Sequence, residues 1–410
     1  MVRIVEITNL NQVVGLFKYL GLPFDFYKGE IMENKYIRPR VKPIYPVYKL
    51  NELLFRIGAQ LGITTEFEDP EGKLYKLVSI LDGRELSDIL KYMKSEFPDL
   101  TEEDIIDGLD ILSNEDLIEE SEGFSKYGID ERYIPNINYF SRFMKYGMSA
   151  YEIQKKINDS TILLLGLGGG GSNILTLLSG LGPRKIIIVD YDKVEKSNLG
   201  RQLLYKESDL GQLKVDVAVR TLKEMNSTID VEGHNKKIER YEDVLEYTKG
   251  VDLVICVIDE PPFIAQKTVN KAIVEAKIPC VFGASQVSRG RVFSVIPNRT
   301  GCFDCLNIHY TLHDDKFVEQ FVGFRDIDFN PPTVAYAPAM YQLTAAIVDE
   351  AVRILTGYAE PRSLSTQYEI NYEDGSSFTH PSWTRYEEDC PTCGNGKSDK
   401  WEIFRYYDRK

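Results

Sequence analysis

The clearest pattern along the chain is a series of short, uninterrupted apolar runs separated by helical repeats. Residues 161–165 (TILLL) are β-branched and leucine-rich with no polar alternation, which predicts a strand buried on both faces. Gly166, Gly168, Gly169, Gly170 and Gly171 follow at once, and a helix is expected from about Ser172. The next apolar run ends in two acids, Asp190 and Asp192. Beyond it the alternation predicts helix at 215–225, strand at 229–234, helix at 241–247 and a buried strand at 252–258 that ends in Asp259. Helix at 268–276 and strands at 279–283 and 291–296 complete the series. Buried strands alternating with helices predict an α/β domain with a Rossmann-like doubly wound sheet over residues 136–400, and 401–410 is left as a C-terminal tail.

Residues 1–135 are patterned differently. Aromatics and prolines dominate around Tyr45-Pro46-Val47-Tyr48, and 74–81 (LYKLVSIL) reads as a strand turned by Asp82-Gly83. A helix is expected at 87–97, a cap at 99–102, a second helix at 105–112 and a last strand at Leu117-Ile118. Strand, helix, helix, strand describes a small winged-helix-like α+β domain. Such a module can hold DNA, capture an extended peptide by strand addition, or simply pack. Its acidity, from Glu102, Glu103, Asp104, Asp107 and Asp110 to Glu115, Asp116, Glu119, Glu120 and Glu122, opposes phosphate contacts and favours a peptide clamp. Residues 131–158 bridge to the main domain with Arg142 and an amphipathic helix carrying Tyr151, Ile153 and Ile157.

Composition narrows the partners. The 410 residues carry a net charge of −14, so a nucleic-acid polyanion is not the expected main partner. No run approaches 18 consecutive apolar residues and the N-terminus lacks a hydrophobic signal core, so a cytoplasmic protein with no membrane association is expected.

The glycine-rich turn marks a nucleotide. Free N–H groups and the positive dipole end of the following helix would face a phosphate, while Asp190 at the next strand end suits a ribose hydroxyl. The loop beyond it, Asp190-x-Asp192-x-Val194-x-x-Ser197-Asn198-Leu199-x-Arg201-Gln202, distinguishes the chemistry, because hydride transfer needs no Asn/Arg pair there. Thirteen residues after Arg201 comes Lys214. Arg201 and Lys214 converging on the turn can hold a triphosphate and neutralise charge at its α-phosphorus, and Asp259 can hold Mg²⁺ against the phosphates. Taken singly, Arg201 and Lys214 read equally as surface charges and Asp259 as a helix cap. Taken jointly with the turn, they read as a nucleotidyl-transfer site.

Four of the six cysteines form two C-x-x-C pairs, Cys302/Cys305 and Cys390/Cys393, in knuckle contexts with nearby Gly and Pro. Two such pairs complete a closed tetrahedral zinc site, a staple that ties the C-terminal segment back to the sheet. Cys256 and Cys280 lie in apolar strands and are expected in the core. His309 and His313 are spaced i, i+4 on a predicted helix, but no H-E-x-x-H pattern surrounds them, and surface or packing roles are expected.

These motifs together resemble the ThiF-like activating enzymes, relatives of the ubiquitin-activating enzymes, over residues 138–396. The resemblance implies a Rossmann-like homodimer that uses ATP with Mg²⁺ to adenylate the C-terminus of a protein or peptide. It places Asp190 at the ribose, Asn198, Arg201 and Lys214 at the phosphates and Asp259 at Mg²⁺. It also matches Arg142 to an arginine inserted into the partner subunit's nucleotide site. Strings such as Asn138-Tyr139-Phe140-Ser141-Arg142, Gly301-Cys302-Phe303-Asp304-Cys305 and Phe329-Asn330-Pro331-Pro332 are similar to the microcin C-type peptide nucleotidyltransferases. That subfamily implies a short ribosomal peptide held by the N-terminal clamp and activated at a terminal Asn. A succinimide then forms, and a nucleotide from ATP or CTP is attached through a phosphoramidate, in peptide-nucleotide antibiotic biosynthesis. Ubiquitin-type activators carry a thioester-forming cysteine in the stretch 306–338, which here contains none. A second expectation is adenylation of a ubiquitin-like sulfur carrier for thiamine or molybdopterin synthesis.

Overall fold

The structure, a computed structural model, describes residues 3–5, 35–60, 64–121, 128–258, 263–325 and 333–407. The chain divides into two compact units, Met1–Glu152 and Ile153–Lys410.

The first unit begins with five short strands, β1 (Arg3–Val5), β2 (Pro39–Val41), β3 (Val47–Lys49), β4 (Leu54–Ile57) and β5 (Thr65–Glu68). All but β2 form an antiparallel sheet in the order β1-β5-β4-β3. Three helices follow, α1 (Lys73–Ile80), α2 (Leu86–Glu96) and α3 (Glu102–Asn114), and then β6 (Ile118–Glu120), which pairs antiparallel with β2. The segment expected to be a strand at 74–81 is therefore a helix. Its apolar residues Leu74, Leu77, Val78 and Leu81 recur at three- and four-residue intervals, so one helical face buries them all, whereas a strand would send them to both faces. Thr101 caps α3 through a capping box with Asp104, which closes two free amides at the helix start. The core forms where the three helices and β4 and β5 meet, around Phe55, Phe67, Leu77, Met93 and Leu109.

Helix α4 (Ile134–Ser141) and the turn after it belong to this unit. Lys42, fully buried, donates to the carbonyl of Met144 at 2.7 Å, and the Tyr146 hydroxyl donates to Glu120 at 2.6 Å. Helix α5 (Ala150–Asp159) carries the chain into the second unit.

In the second unit, β7 (Thr161–Leu165), α6 (Gly169–Leu181), β8 (Lys185–Asp190), α7 (Lys214–Met225), β9 (Asp230–Asn235), α8 (Tyr241–Leu245), β10 (Leu253–Cys256), α9 (Ile264–Ala276) and β11 (Cys280–Ser285) alternate as the hydrophobic pattern predicts. Strand β12 (Arg289–Val295), helices α10 (Phe303–His313), α11 (Asp315–Arg325) and α12 (Ala337–Thr356), strands β13 (Tyr368–Asn371) and β14 (Ser377–Thr379) and helix α13 (Glu402–Tyr407) follow. The eight-stranded sheet runs β14-β13-β12-β11-β10-β7-β8-β9. Strands β9-β8-β7-β10-β11 are parallel, in the doubly wound order, and β12 to β14 continue antiparallel. Every residue of β7 and β10 is buried, as strands covered by helices on both faces must be. From β7 the chain turns to β8 on one side and later returns to β10 on the other. This switch opens a crevice at the carboxyl ends of these strands, where the glycine turn lies.

The antiparallel extension carries its own charge cluster. The buried Glu369 on β13 accepts from Arg289, Arg291 (2.7 Å) and His380 (2.9 Å). Burial alone would raise its carboxyl, but these three partners outweigh it and hold the pKa at about 2.

Candidate functional site

The turn between β7 and α6 is built by close approach. Gly166 adopts φ of 96°, a left-handed conformation natural only to glycine, and a Cβ there would meet the Val257 carbonyl oxygen at 3.1 Å. At Gly171 a Cβ would lie 1.8 Å from the Gly166 carbonyl oxygen, so α6 packs against its own entry turn at a distance that excludes any side chain. Gly168 is the N-cap of α6 and supplies no capping side chain. The first-turn N–H groups therefore remain free of a side-chain acceptor at the helix's positive end, the arrangement that suits an anion.

Two carboxylates hold the turn and a lysine. Asp190, at the end of β8, accepts from the Leu167 amide at 2.6 Å and from the Asp192 amide at 2.7 Å, so it clamps the glycine turn to β8. Burial pushes this carboxyl above the usual aspartate range, against those two amides and the nearby Lys214 charge. The buried Tyr205 hydroxyl donates to the Leu167 carbonyl at 3.2 Å, holding the same residue through its other backbone group. Asp192 is half exposed and accepts from the Lys214 ammonium at 2.8 Å. Lys214 is buried because its amide bonds the Asp192 carbonyl, and residues 192–194 run antiparallel to 211–214.

The Asn/Arg loop sits over the helix start. Asn198 accepts from the Glu195 amide through Oδ1 at 3.0 Å, and its carbonyl receives the amides of Arg201 and Gln202. This tight turn directs the Arg201 side chain back along α6, where a Cβ at Gly169 would lie 3.5 Å from Arg201 Cδ. The guanidinium donates to the Ser197 carbonyl at 2.9 Å, which uses only part of its donor set. Asn173 of α6 holds the Arg201 carbonyl at 3.3 Å. The structure thus gathers Gly166, Gly168, Gly169, Gly170, Gly171, Asp190, Asp192, Asn198, Arg201, Gln202 and Lys214 at one end of the β7 and β8 pair. Asp259 lies outside the described residues. The chain before it is described to Ile258, where Val257 bonds the Leu165 carbonyl beside the glycine turn.

Arg142 is in the first unit. It follows α4 and lines a cavity of about 440 Å³ with Ile44, Tyr45, Pro46, Ala59, Gln60, Asn138 and Tyr139. Burial raises the Tyr45 hydroxyl above its ordinary range, and the adjacent Arg142 charge partly offsets this.

The four cysteines meet in the second unit. Sulfur separations are 3.9 Å for Cys302–Cys305, 3.5 Å for Cys302–Cys390, 3.4 Å for Cys305–Cys393 and 3.6 Å for Cys390–Cys393. Tetrahedral thiolates about 2.3 Å from a zinc ion would stand about 3.8 Å apart, while a disulfide needs about 2.0 Å. The donor set fits a closed zinc site. The Tyr386 amide points at the Cys305 sulfur (3.5 Å) and the Cys393 amide at the Cys390 sulfur (3.4 Å), as in thiolate sites whose ligands are oriented by outer partners. Thr392 donates to the buried Asp304 at 2.6 Å and binds the two knuckles directly.

The sequence motifs give no role to Asn173 or Tyr205. Both act through backbone groups of the glycine turn and Arg201, which a spacing rule does not reveal.

The sequence pattern of the ThiF family matches residues 135–392. The sulfur carrier protein ThiS adenylyltransferase of Bacillus subtilis is 29% identical over 243 residues, 59% of this chain and 67% of that protein. The adenylyltransferase and sulfurtransferase MOCS3-1 of Zea mays is 32% identical over 167 residues, but the match spans only 35% of its length and 41% of this chain. Among solved structures, E. coli MccB with ATP superposes with a TM-score of 0.70 at 21% identity, covering 87% of this chain and all of that one. MccB is described as a microcin C7 biosynthetic enzyme and has also been solved with AMPCPP and MccA. The chain belongs to the ThiF family, the family of these adenylyltransferases.

Proposed function

We propose that this enzyme transfers a nucleotide from a nucleoside triphosphate to the C-terminus of a short ribosomal peptide, in the manner of microcin C-type synthesis. The observation that carries the reading is that Arg201 lies against the uncapped α6 N-terminus, while Lys214 is held by Asp192, two residues beyond the Asp190 that clamps the glycine turn. The peptide part is supported by the first unit. It lies almost wholly before the ThiF-matching segment, yet the likeness to MccB covers all of that chain.

In this reading a peptide carboxylate oxygen bonds to the α-phosphorus as the bond to the bridging β-oxygen breaks, and pyrophosphate leaves with that electron pair. Arg201 and the α6 amides hold the phosphate oxygens. Lys214, released from or sharing Asp192, neutralises the charge that grows at the α-phosphorus. Catalysis is positional and electrostatic and needs no enzyme nucleophile. Asp259 would hold Mg²⁺, which supplies charge neutralisation on the pyrophosphate side. Arg142 acts in the nucleotide site of a second copy of the chain, which makes the working form a homodimer. With a terminal Asn, the side-chain amide nitrogen displaces the nucleotide to close a succinimide. That nitrogen, losing its proton, then bonds to the α-phosphorus of a second triphosphate as pyrophosphate leaves, and water opens the ring to give the phosphoramidate. ATP is the expected donor and CTP the alternative.

Arg201→Ala is expected to lower pyrophosphate release by two or more orders of magnitude with an unchanged far-UV spectrum, and near-normal release would sink the assignment. Mixing inactive Arg142→Ala and inactive Asp259→Ala chains should restore part of the activity. No rescue at any mixing ratio would count against shared sites. A second reading, adenylation of a sulfur-carrier C-terminus, is favoured by the higher identity to the B. subtilis enzyme. It leaves the first unit without a role.

A further inference from the structure

The four-cysteine cluster sits at the start of helix α10, with Cys302 as its N-cap and Cys305 in its first turn. His309 and His313 follow on the same helix, four and eight residues beyond Cys305, so all three side chains fall on one face at successive turns. The sequence pattern alone suggests packing or surface roles for the two histidines. The structure brings their rings to 4.6 Å between centroids, His309 half-buried and His313 exposed. His309 Nδ1 lies 3.3 Å from the Tyr386 hydroxyl, which leaves Nε2 as its outward nitrogen. A metal-bound imidazole characteristically has its second nitrogen fixed by an oxygen partner in this way. Neither ring is in an ion pair with a carboxylate among the described residues, unlike His234 and His380.

We propose that His309 and His313 form a second metal site, open to solvent, for a borderline divalent cation such as Zn²⁺, separate from the four-cysteine cluster. Two imidazole nitrogens about 2.0–2.1 Å from one ion stand roughly 3.3 Å apart in tetrahedral geometry, and rings at this spacing on adjacent turns reach that distance by small side-chain rotations. Water fills the remaining positions, as befits an exposed two-ligand site. The four cysteines already supply all the ligands of a closed tetrahedral ion at the start of α10, so His309 and His313 are left to a separate one. Tyr386 connects the two sites, since its amide faces the Cys305 sulfur while its hydroxyl faces His309.

The test uses the full-length protein carrying its tightly held zinc. Zn²⁺ is titrated in competition with a chromophoric chelator, and total bound metal is measured by atomic emission. The expected result is one non-exchanging ion and a second, exchangeable ion. His313→Ala and His309→Ala should each weaken the second at least tenfold and leave the first in place. Tyr386→Phe, which keeps the amide that faces Cys305, should weaken the second severalfold. Because His313 is exposed, its alanine variant should retain the parent's near-UV spectrum, so a loss of binding reports the ligand and not the fold. Absence of an exchangeable ion in the parent protein, or its full retention in His313→Ala, would overturn the proposal.

Discussion

Gly171→Ala tests whether the glycine turn is a close-packed cradle or an ordinary flexible loop. An added Cβ would lie 1.8 Å from the Gly166 carbonyl oxygen, whereas a carbon rarely sits closer than about 3.3 Å to a carbonyl oxygen. The difference, about 1.5 Å, must be absorbed by α6 sliding away from the turn, because both partners are backbone and no side chain can swing aside. Overpacking of this kind costs about 1–3 kcal/mol. It also moves the free amides of α6 and the adjoining Arg201 out of place, and misplacement on the order of 1 Å costs roughly a hundredfold in rate. Gly170→Ala is the internal control. There a Cβ meets only Val257 side-chain carbon at 3.4 Å, an ordinary contact, and alanine in place of a helical glycine gains about 0.5–1 kcal/mol. Thermal unfolding and binding of a fluorescent ATP analogue should therefore diverge. Gly171→Ala should lower Tm by several degrees and abolish measurable nucleotide binding, while Gly170→Ala should raise Tm by about 1–4 °C and keep binding. Equal behaviour of the two variants would refute the account of the turn.

Three further predictions follow from the same geometry. Asp190→Ala leaves the Leu167 and Asp192 amides without their acceptor, so it should cost about 1–3 kcal/mol for each amide that stays dry and weaken nucleotide binding; urea denaturation of this variant beside Asp190→Asn measures the difference. Cys390→Ser should reduce tightly bound zinc from one per chain to a substoichiometric amount and raise hydrogen exchange across residues 383–404, and retention of a full equivalent would contradict the closed four-cysteine site. The Glu369 carboxyl is depressed from 4.5 to about 2, so its contribution is fully present above pH 4.5 and is lost as pH falls toward 2. At roughly 1.4 kcal/mol per unit it amounts to at most about 3.5 kcal/mol, and Glu369→Gln should flatten that part of the stability–pH profile measured by urea denaturation.

The sequence made the second unit largely legible because its strands are buried on both faces and so lack polar interruption, as in residues 161–165 and 253–256. The glycine spacing likewise announced a close-packed turn, since a Cβ at Gly171 would meet the Gly166 carbonyl oxygen. The first unit was less legible. Strands of three or four residues, such as β3 and β4, are too short to establish a period, and the run at 74–81 contains enough adjacent apolar residues to satisfy strand and helix templates alike. The pairing of Lys214 with Asp192, and the hold of Asp190 and Tyr205 on Leu167, depend on how the loop 192–214 folds back. No local pattern encodes that return. The antiparallel turn of the sheet after β11 was likewise hidden, since strand direction leaves no mark on the alternation of apolar residues.

The most direct test of the proposed activity is mass spectrometry of short synthetic peptides ending in Asn, incubated with the enzyme, Mg²⁺ and each of the four nucleoside triphosphates. The expected result is a stable mass gain of one nucleotidyl group, a nucleoside monophosphate less water, on the peptide, with release of pyrophosphate. Pyrophosphate exchange with no peptide adduct, together with adenylation of a carrier protein ending in Gly-Gly, would contradict it.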